Sequence, residues 1–549
     1  MKVIIIGGVA GGMSAATRLR RLLEDAEITV YEMGEHVSYA NCGLPYFVSD
    51  VISDRDALLL QTPGSLKARF NLDVRVRSKV VSIDRAAKTV EVENVETGER
   101  YTDGYDKLVI STGAKPRRGN IPGIERAKAL RTVEDADAAK AAVKAGQHAV
   151  ILGAGFIGIE LAENLRLAGA EVTLVQRSGS ILSQFDPEMI EPLQARLVEH
   201  GVQLVLGVEA ESIGERDVTL RDGRVLAADL VLTATGVEPD NWLAREAGLR
   251  IGATGGLWVD DQQRTSDPDI FAAGDAVEKH GALTGEESLI PLANLANRHG
   301  RLVADAIAGL PAKVRPAIGT VIIGAFGLAA GITGLNERVA RATAKATGRD
   351  IRVIHLHPGS HAGYYPGAKR VSIKVIFDAK DGSILGAQAT GEEGVDKRID
   401  VIATAIAGGL KIDDLMDLEL AYAPQFGSAK DAINMAGYIG NNVMTGRTPT
   451  LQWHELEAEM AAGAMLVDVR THGENEAGAI AGSVNIPVDS LRERLDELTE
   501  KRVIVHCAVG QRGHTATQIL RAHGFDAINL DGGYITWATA QNALARRSL

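Results

Sequence analysis

Residues 2–6, Lys-Val-Ile-Ile-Ile, form an unbroken apolar run that stops at Gly7-Gly8-Val9-Ala10-Gly11-Gly12. A short apolar run bounded by glycines fits a strand covered on both faces, as in a parallel sheet. A helical pattern follows to about Leu23, and then a second strand, Ile28-Thr29-Val30-Tyr31, which ends at Glu32. The succession returns with a strand at 149–152, the turn Gly153-Ala154-Gly155-Phe156-Ile157-Gly158, a helix carrying Glu160 and Glu163, and a strand Glu171-Val172-Thr173-Leu174-Val175. This second copy ends in Gln176-Arg177 rather than in an acid. Two copies of one pattern about 150 residues apart are an internal duplication. Between them, residues 74–110 predict antiparallel strands leading into Tyr105-Asp106-Lys107-Leu108-Val109-Ile110-Ser111-Thr112-Gly113-Ala114.

The order strand, glycine turn, helix, strand, acid is the fingerprint of a dinucleotide site. The glycines let backbone N–H groups and a helix N-terminus meet a pyrophosphate, and the acid takes a ribose hydroxyl. In the first copy Gly7 and Gly12 hold the outer positions, Val9 stands in the middle one, and Glu32 is the acid. In the second copy Gly153, Gly155 and Gly158 are all present. Its missing carboxylate weakens selection for a free 2′-hydroxyl, and Arg177 is placed to take a 2′-phosphate instead, so NADH and NADPH both stay open. Thr112-Gly113 ends a strand that returns beneath a bound dinucleotide, and Thr235-Gly236 echoes it. Further on, Ile270-Phe271-Ala272-Ala273-Gly274-Asp275 presents a carboxylate beside a helix start, where it can bind a ribityl hydroxyl. On the first helix Ser14, Arg18 and Arg21 share one face. That face reads equally as a solvated basic surface or as a phosphate-binding stripe.

Composition narrows the class. A chain of 549 residues predicts three or four domains, and its 45% hydrophobic content and mean hydropathy of +0.01 are those of a soluble globular protein. No apolar run reaches the ~18 residues of a membrane span, and Met1–Ile6 runs straight into glycines, as a strand does and a signal peptide does not. A net charge of −12 argues against nucleic-acid binding. Only two cysteines are present, Cys42 and Cys507, too far apart for a disulfide framework or metal cluster and suited to a reducing cytoplasm. No metal site is expected. Cys42 lies in Ser38-Tyr39-Ala40-Asn41-Cys42-Gly43-Leu44-Pro45-Tyr46, ten residues after Glu32. A lone cysteine is most often a small buried hydrophobe. Here the Asn, Gly and Pro around it predict a tight turn, and Ser38 and Asn41 a lined pocket.

With both fingerprints and the Gly274-Asp275 turn, residues 1–440 resemble the two-dinucleotide flavoprotein disulfide reductases. The resemblance implies FAD held through Gly7, Gly12, Glu32, Thr112, Gly113 and Asp275, and NADH or NADPH held through Gly153, Gly155 and Gly158. Most such reductases carry a Cys-x4-Cys pair, which this chain lacks. Its cysteine segment is similar instead to the single-cysteine branch: coenzyme A disulfide reductases, their persulfide-reducing relatives, and NADH peroxidases and oxidases. Residues 321–440 then form a dimerisation domain, with strands Val-Ser-Ile-Lys-Val-Ile-Phe-Asp and Ile-Leu-Gly-Ala-Gln-Ala-Thr-Gly. His361-Ala362-Gly363-Tyr364-Tyr365-Pro366-Gly367 and Ala421-Tyr422-Ala423-Pro424-Gln425-Phe426-Gly427-Ser428-Ala429-Lys430 resemble the coenzyme A branch. The resemblance implies a homodimer in which Tyr364, rather than Tyr365, and Tyr422 reach the partner's active cysteine. It also implies coenzyme A contacts from Ser14, Arg18, Arg21, Ser38, Asn41 and Lys430.

Residues 441–451, rich in Gly, Asn, Thr and Pro, read as a linker to a last domain, 452–549. There the strand Val503-Ile504-Val505-His506 runs into Cys507-Ala508-Val509-Gly510-Gln511-Arg512-Gly513 and a helix. A cysteine between strand end and helix start sits in a cradle of N–H groups that stabilises a thiolate or sulfane sulfur. With Asp468-Val469-Arg470 and Asp531-Gly532-Gly533, this stretch resembles a rhodanese, with Gly510 and Arg512 in its active loop. A tyrosine-phosphatase loop would need arginine at position 513, which is glycine.

The expected fold is therefore α/β: two Rossmann-like domains (FAD-binding, 1–112 and 250–320; NAD(P)H-binding, 113–249), an α+β dimerisation domain and an α/β rhodanese domain. The expected chemistry joins sulfur transfer to reduction. Cys507 takes sulfane sulfur, coenzyme A carries it to Cys42, and NAD(P)H reduces the Cys42-linked disulfide through FAD to release sulfide. Tyr364 and Tyr422 supply protons. Coenzyme A disulfide reduction is the alternative as the main activity. A peroxidase or oxidase working through a Cys42 sulfenic acid, or a rhodanese serving only as a sulfur carrier, are further alternatives.

Overall fold

The structure, a computed structural model, describes residues 1–547. The chain divides into two compact units: 1–177 with 201–317, and 178–200 with the remainder from 318.

The first unit is built on β1 (Lys2–Ile6), α1 (Ala10–Leu22), β2 (Glu27–Tyr31), a short helix α2 (Leu44–Val48), β3 (Asp73–Arg75) and β4 (Lys107–Ile110). It continues through β5 (His148–Leu152), α3 (Phe156–Leu167) and β6 (Glu171–Gln176). The chain then leaves for α4 (Pro187–Glu199), part of the second unit, and returns through β7 (Val202–Leu206), β8 (Leu230–Thr233), β9 (Ile270–Ala272) and α5 (Ala293–Ile307). Two parallel sheets result, with orders β9-β4-β1-β2-β3 and β7-β6-β5-β8. Val3, Ile4 and Ile5 are buried on both faces of the first sheet, which is why that run is continuous rather than alternating. Residues 74–110 depart from the expected antiparallel set at their start. Asp73–Arg75 is a parallel edge strand beside β2, and Arg77 turns the chain at φ +52°. Only then do Ser78–Asp84, Thr89–Asn94 and Arg100–Gly104 pair antiparallel.

In the second unit β10 (Val321–Ala325), β11 (Leu328–Gly334), β12 (Ile351–Leu356), β13 (Val371–Asp378) and β14 (Ile384–Gly391) form an antiparallel sheet of order β10-β11-β14-β13-β12. Helices α6 (Val395–Gly408) and α7 (Ala432–Met444) supply apolar side chains to the core on it. The expected linker holds more structure than its composition indicated. α7 runs on to Met444, and β15 (Thr450–Leu451) is already the edge strand of the last sheet. That sheet adds β16 (Met465–Asp468), β17 (Val484–Asn485), β18 (Arg502–His506) and β19 (Asp526–Leu530) in the parallel order β15-β19-β18-β16-β17, with α8 (Gln511–Ala522) and α9 (Gly533–Arg547).

A buried charge cluster ties these pieces of the second unit together. The Lys374 ammonium on β13 lies 2.9 Å from Asp186, 2.5 Å from Glu188 and 2.7 Å from Glu337. The three carboxylates converge as a metal site would, but Lys374 stands among them as their cation. His355 on β12 lies 3.2 Å from Glu188 and 2.6 Å from Asp531. Burial alone would raise the Glu188 carboxyl, but Lys374 and His355 outweigh it and hold it well below the usual range. Burial alone would lower His355, but Asp531 and Glu188 lift it to about 9.

Glu188 thus contributes stability that is present above its unfolded pKa of about 4.3 and lost as pH falls through its lowered value. His355 contributes stability that is fully present below about 6.5 and lost as pH rises through about 9. Thermal melting should therefore peak at about pH 5–6.5 and decline on both sides. Lys374→Met, which removes the central cation from the buried Asp186 and Glu188 and the partly buried Glu337, should cost about 3–5 kcal/mol by denaturant titration.

Candidate active sites

In the first unit the glycine turn closes against itself. A Cβ on Gly12 would fall 1.9 Å from the Gly7 carbonyl oxygen, so α1 can start this close to β1 only with glycine there. The first-turn N–H groups of α1 have no partners within the helix and face the space above the turn. Glu32 accepts hydrogen bonds from the N–H groups of Gly8 (2.8 Å) and Gly34 (2.9 Å). A carboxylate has further lone pairs, so this one can still take ribose hydroxyls. Asp275 follows β9, half-buried. Burial raises its carboxyl, and no donor among the described residues reaches it. A carboxylate so placed, over a turn that admits a pyrophosphate, fits a flavin dinucleotide. Thr112 donates to the Asp240 carbonyl (2.6 Å), and Asp240 N–H donates to the Gly113 carbonyl (3.0 Å), so both residues brace the turn beside the site.

The second turn repeats this geometry. A Cβ on Gly158 would lie 2.0 Å from the Gly153 oxygen, whereas one on Gly155 would meet nothing within 4 Å. The protein's own packing does not require glycine at 155, which fits a ligand approaching there. Gln176 does here what Glu32 does in the first copy, accepting from the Ala154 N–H at 3.1 Å. The substitution keeps the acceptor and drops the charge. Arg177 is exposed and 3.9 Å from Glu209.

Cys42 is exposed on a short 3-10 turn, Asn41–Gly43, leading into α2. The turn is pinned by Gly43 N–H to Ala40 (2.8 Å) and by Ala40 N–H to Leu58 (2.8 Å), and a Cβ on Gly43 would meet Leu58 at 2.8 Å. Ser38, at φ +48°, donates its N–H to the Gly8 carbonyl, which ties this loop to the first glycine turn. Asn41 Oδ1 is 3.9 Å from the Cys42 sulfur. Desolvation raises the Cys42 thiol, with Glu160 and Asp275 adding to it and Arg131 opposing. Glu160 on α3 is itself pushed up to about 7 by burial and by Glu163. Sequence reading recorded Glu160 only as a helix residue. Its place two residues after Gly158 was the available signal.

The helix stripe is less free than its spacing implied. Arg18 pairs with Asp305 on α5 (2.8 Å) and Ser14 donates to Asn297 (2.8 Å), while Arg21 is exposed.

In the second unit the two tyrosine stretches meet. Ala362 N–H donates to the Gly427 carbonyl (2.9 Å), and the Tyr364 and Tyr422 hydroxyls stand 2.9 Å apart, both exposed. The hydrogen bond to Tyr422 raises the Tyr364 hydroxyl pKa. Tyr365 instead sets its ring edge-on to His361, with centroids 5.6 Å apart. Lys430 is exposed.

Cys507 lies buried at the end of β18, its sulfur accepting from the Gly510 N–H at 3.1 Å. Gly510, at φ +93°, precedes the first residue of α8. Arg512 grips Glu474 through two bonds of 2.6 and 2.7 Å, which raise its pKa, and Cys507 adds to the shift. Asp468 holds Arg470 (2.6 Å), whose guanidinium lies over the Tyr534 ring at 4.2 Å. His506, lowered to about 4 by burial, is neutral.

The pyridine nucleotide-disulphide oxidoreductase profile matches residues 1–300, and its dimerisation-domain profile matches 323–432. This chain belongs to the pyridine nucleotide-disulphide oxidoreductase family. A rhodanese-like domain profile matches 452–540. The chain is 33% identical over 442 residues to a coenzyme A disulfide reductase of Staphylococcus aureus, a match covering 80% of this chain and 99% of that one. A reduced Bacillus anthracis CoADR-RHD crystal structure superposes with a TM-score of 0.95 at 44% identity, covering 98% of each chain. A NAD-dependent persulfide reductase from A. fulgidus gives 0.91 at 36% identity, covering 98% of this chain and 100% of that one. The protein is thus a flavoprotein oxidoreductase of the pyridine nucleotide-disulphide type that also carries a rhodanese-like domain. Among the described residues no helix is long and apolar enough to cross a membrane.

The negative surroundings of Cys42 make a measurable difference. In the ligand-free protein at pH 8, Glu160→Gln should lower the thiol pKa and speed Cys42 alkylation severalfold, measured by mass spectrometry on a Cys507→Ser background.

Proposed function

We propose that the protein reduces coenzyme A persulfide with NAD(P)H and that its rhodanese domain supplies the sulfane sulfur. The observation that carries this is the placement of the two cysteines. Cys42 is exposed, with no second cysteine near it in sequence, and feels the charge of Asp275 beside the first dinucleotide turn. Cys507 receives an N–H hydrogen bond in a rhodanese-type loop of the same chain. On this reading FAD occupies 1–112 with 250–320, the nicotinamide cofactor 113–249, the dimer interface 321–440, and the rhodanese 452–549 beyond the 441–451 connection. Gly7, Gly12, Glu32 and Asp275 hold FAD with Thr112 and Gly113 behind it, and Gly153, Gly155 and Gly158 hold NADH or NADPH. FAD, when bound there, would supply the electron pair of NAD(P)H to the Cys42-linked disulfide.

The sulfur steps balance as follows. The Cys507 thiolate attacks the outer sulfur of a donor such as thiosulfate, and sulfite leaves. Coenzyme A thiolate then takes that sulfur, restoring Cys507 thiolate and giving coenzyme A persulfide. The Cys42 thiolate attacks the sulfur bonded to coenzyme A, the S–S bond breaks, and hydrosulfide leaves with a proton. The mixed disulfide of Cys42 and coenzyme A is opened by the electron pair, which returns both thiolates. One persulfide, one NAD(P)H and one proton thus yield coenzyme A, sulfide and NAD(P)+. Gly510 N–H and the Arg512 charge stabilise the anionic sulfur on Cys507. Tyr364 and Tyr422 reach Cys42 of the partner subunit in a homodimer and protonate the leaving sulfur. Ser14, Arg21, Ser38, Asn41 and Lys430 contact coenzyme A, and Arg18 does so once it swings from Asp305. The work belongs to a reducing cytoplasm. Coenzyme A disulfide is the second candidate substrate, favoured by the Staphylococcus aureus relative.

The deciding measurement is NAD(P)H oxidation with coenzyme A persulfide against coenzyme A disulfide, with Cys42→Ser as the blank. The persulfide should lead in kcat/KM by about tenfold, roughly 1.4 kcal/mol of transition-state preference. A lead for the disulfide overturns the reading. Cys507→Ser should abolish thiosulfate-driven sulfide release yet leave reduction of added persulfide intact. Tyr364→Phe and Tyr422→Phe should each lower kcat by about a hundredfold if the hydroxyls serve as acids.

A further inference from the structure

β12 lies against the rhodanese turn that backs Cys507. His355 gives Asp531 its backbone N–H at 3.2 Å and its Nδ1 at 2.6 Å, and its Nε2 is 3.2 Å from Glu188. Gln452 Nε2 joins the same carboxylate (3.3 Å) to the Val353 carbonyl (3.1 Å), and His357 Nε2 meets the Thr536 hydroxyl at 2.8 Å. Asp531 opens the turn Gly532-Gly533, both at positive φ. A Cβ on Gly532 would fall 2.7 Å from the His355 Cβ, and one on Gly533 only 2.4 Å from the Cys507 carbonyl oxygen. Tyr534 N–H donates to that carbonyl (2.8 Å), and Ile535 N–H to that of Ala508 (3.1 Å). The turn is thus one layer thick, with the dimerisation sheet on one side and the Cys507 loop on the other.

We propose that His355 is a positioning residue for sulfur transfer at Cys507: through Asp531 it sets the Gly532-Gly533 turn, and the turn sets the carbonyl end of the Cys507 loop. The inference rests on the sulfur-transfer reading above. A doubly protonated imidazole serves two carboxylates at once, with an N–H for each, whereas a neutral ring has one N–H and would face the other carboxylate with a lone pair. The charged groups around the ring are Glu188 from α4, Lys374 from β13 and Asp531 from the turn, with His357 held neutral beside it on the chain. Their balance keeps His355 protonated until about pH 9.

The test uses the full-length protein on a Cys42→Ser background, so that alkylation reports Cys507 alone. His355→Gln and Asp531→Asn are compared with the parent for iodoacetamide alkylation across pH and for thiosulfate-to-cyanide sulfur transfer. Each substitution should loosen the turn. Alkylation of the buried thiol should rise, while the transfer kcat falls about tenfold at nearly constant KM. The double variant should be no worse than either single one. The ratio of parent to His355→Gln alkylation rates, in which the thiol's own titration cancels, should change as His355 loses its proton. Unchanged alkylation and pH profile in both single variants would overturn the proposal. If the parent transfers no sulfur at all, the functional reading falls, and the alkylation data still decide the part played by His355. Asp531→Asn is isosteric with the aspartate and serves where His355→Gln fails to fold.

Discussion

The second unit depends on an ammonium group held away from water. Lys374 has given up its hydration, and only the close approach of Asp186, Glu188 and Glu337 makes that tolerable. The carboxylates come from two separate stretches of chain. Asp186 and Glu188 arrive with the inserted helix α4, and Glu337 opens the helix after β11. An apolar residue at 374 would bury well but would not specify which segments meet over the sheet. A cation that must find these oxygens does specify it, and through His355 the same demand extends to Asp531 in the rhodanese domain. Specificity of assembly, rather than net stability, is the role this cluster is suited to.

The two cysteines sit in opposite surroundings. Cys42 is exposed, and its acidic neighbours Glu160 and Asp275 oppose the thiolate. Cys507 is buried but receives an N–H hydrogen bond, with an arginine beside it. The second site carries its own stabilisation in the loop. That contrast matches a division of labour in which one thiol holds sulfur between partners and the other acts only when a reduced cofactor is in place.

Much of this was legible in the sequence because it is local. A strand that must end in a glycine turn declares itself in a dozen residues, and so does the loop after β18. The tyrosine pair was legible only through resemblance, since Tyr364 and Tyr422 lie 58 positions apart and nothing in their spacing brings their hydroxyls together. The ion pair that occupies Arg18 and the hydrogen bond that occupies Ser14 were not legible, because their partners, Asp305 and Asn297, sit on a helix almost three hundred residues away. The structure within 441–451 is hidden for a related reason. Its glycines and asparagines read as loop, but tertiary pairing of Thr450 and Leu451 with β19 overrides composition. The charge cluster around Lys374 left no local trace, for buried lysines and histidines look like surface ones until their partners are known.

The contact between β12 and the Asp531 turn makes the dimerisation sheet and the rhodanese-like domain interdependent. Here the dimerisation sheet leans on the appended domain. Stripped of residues 452–549, the sheet would present a protonated His355 with only Glu188 to answer it, and Gln452 would no longer cap the Val353 carbonyl. Removing the appended domain would therefore cost the remaining sheet part of its own integrity.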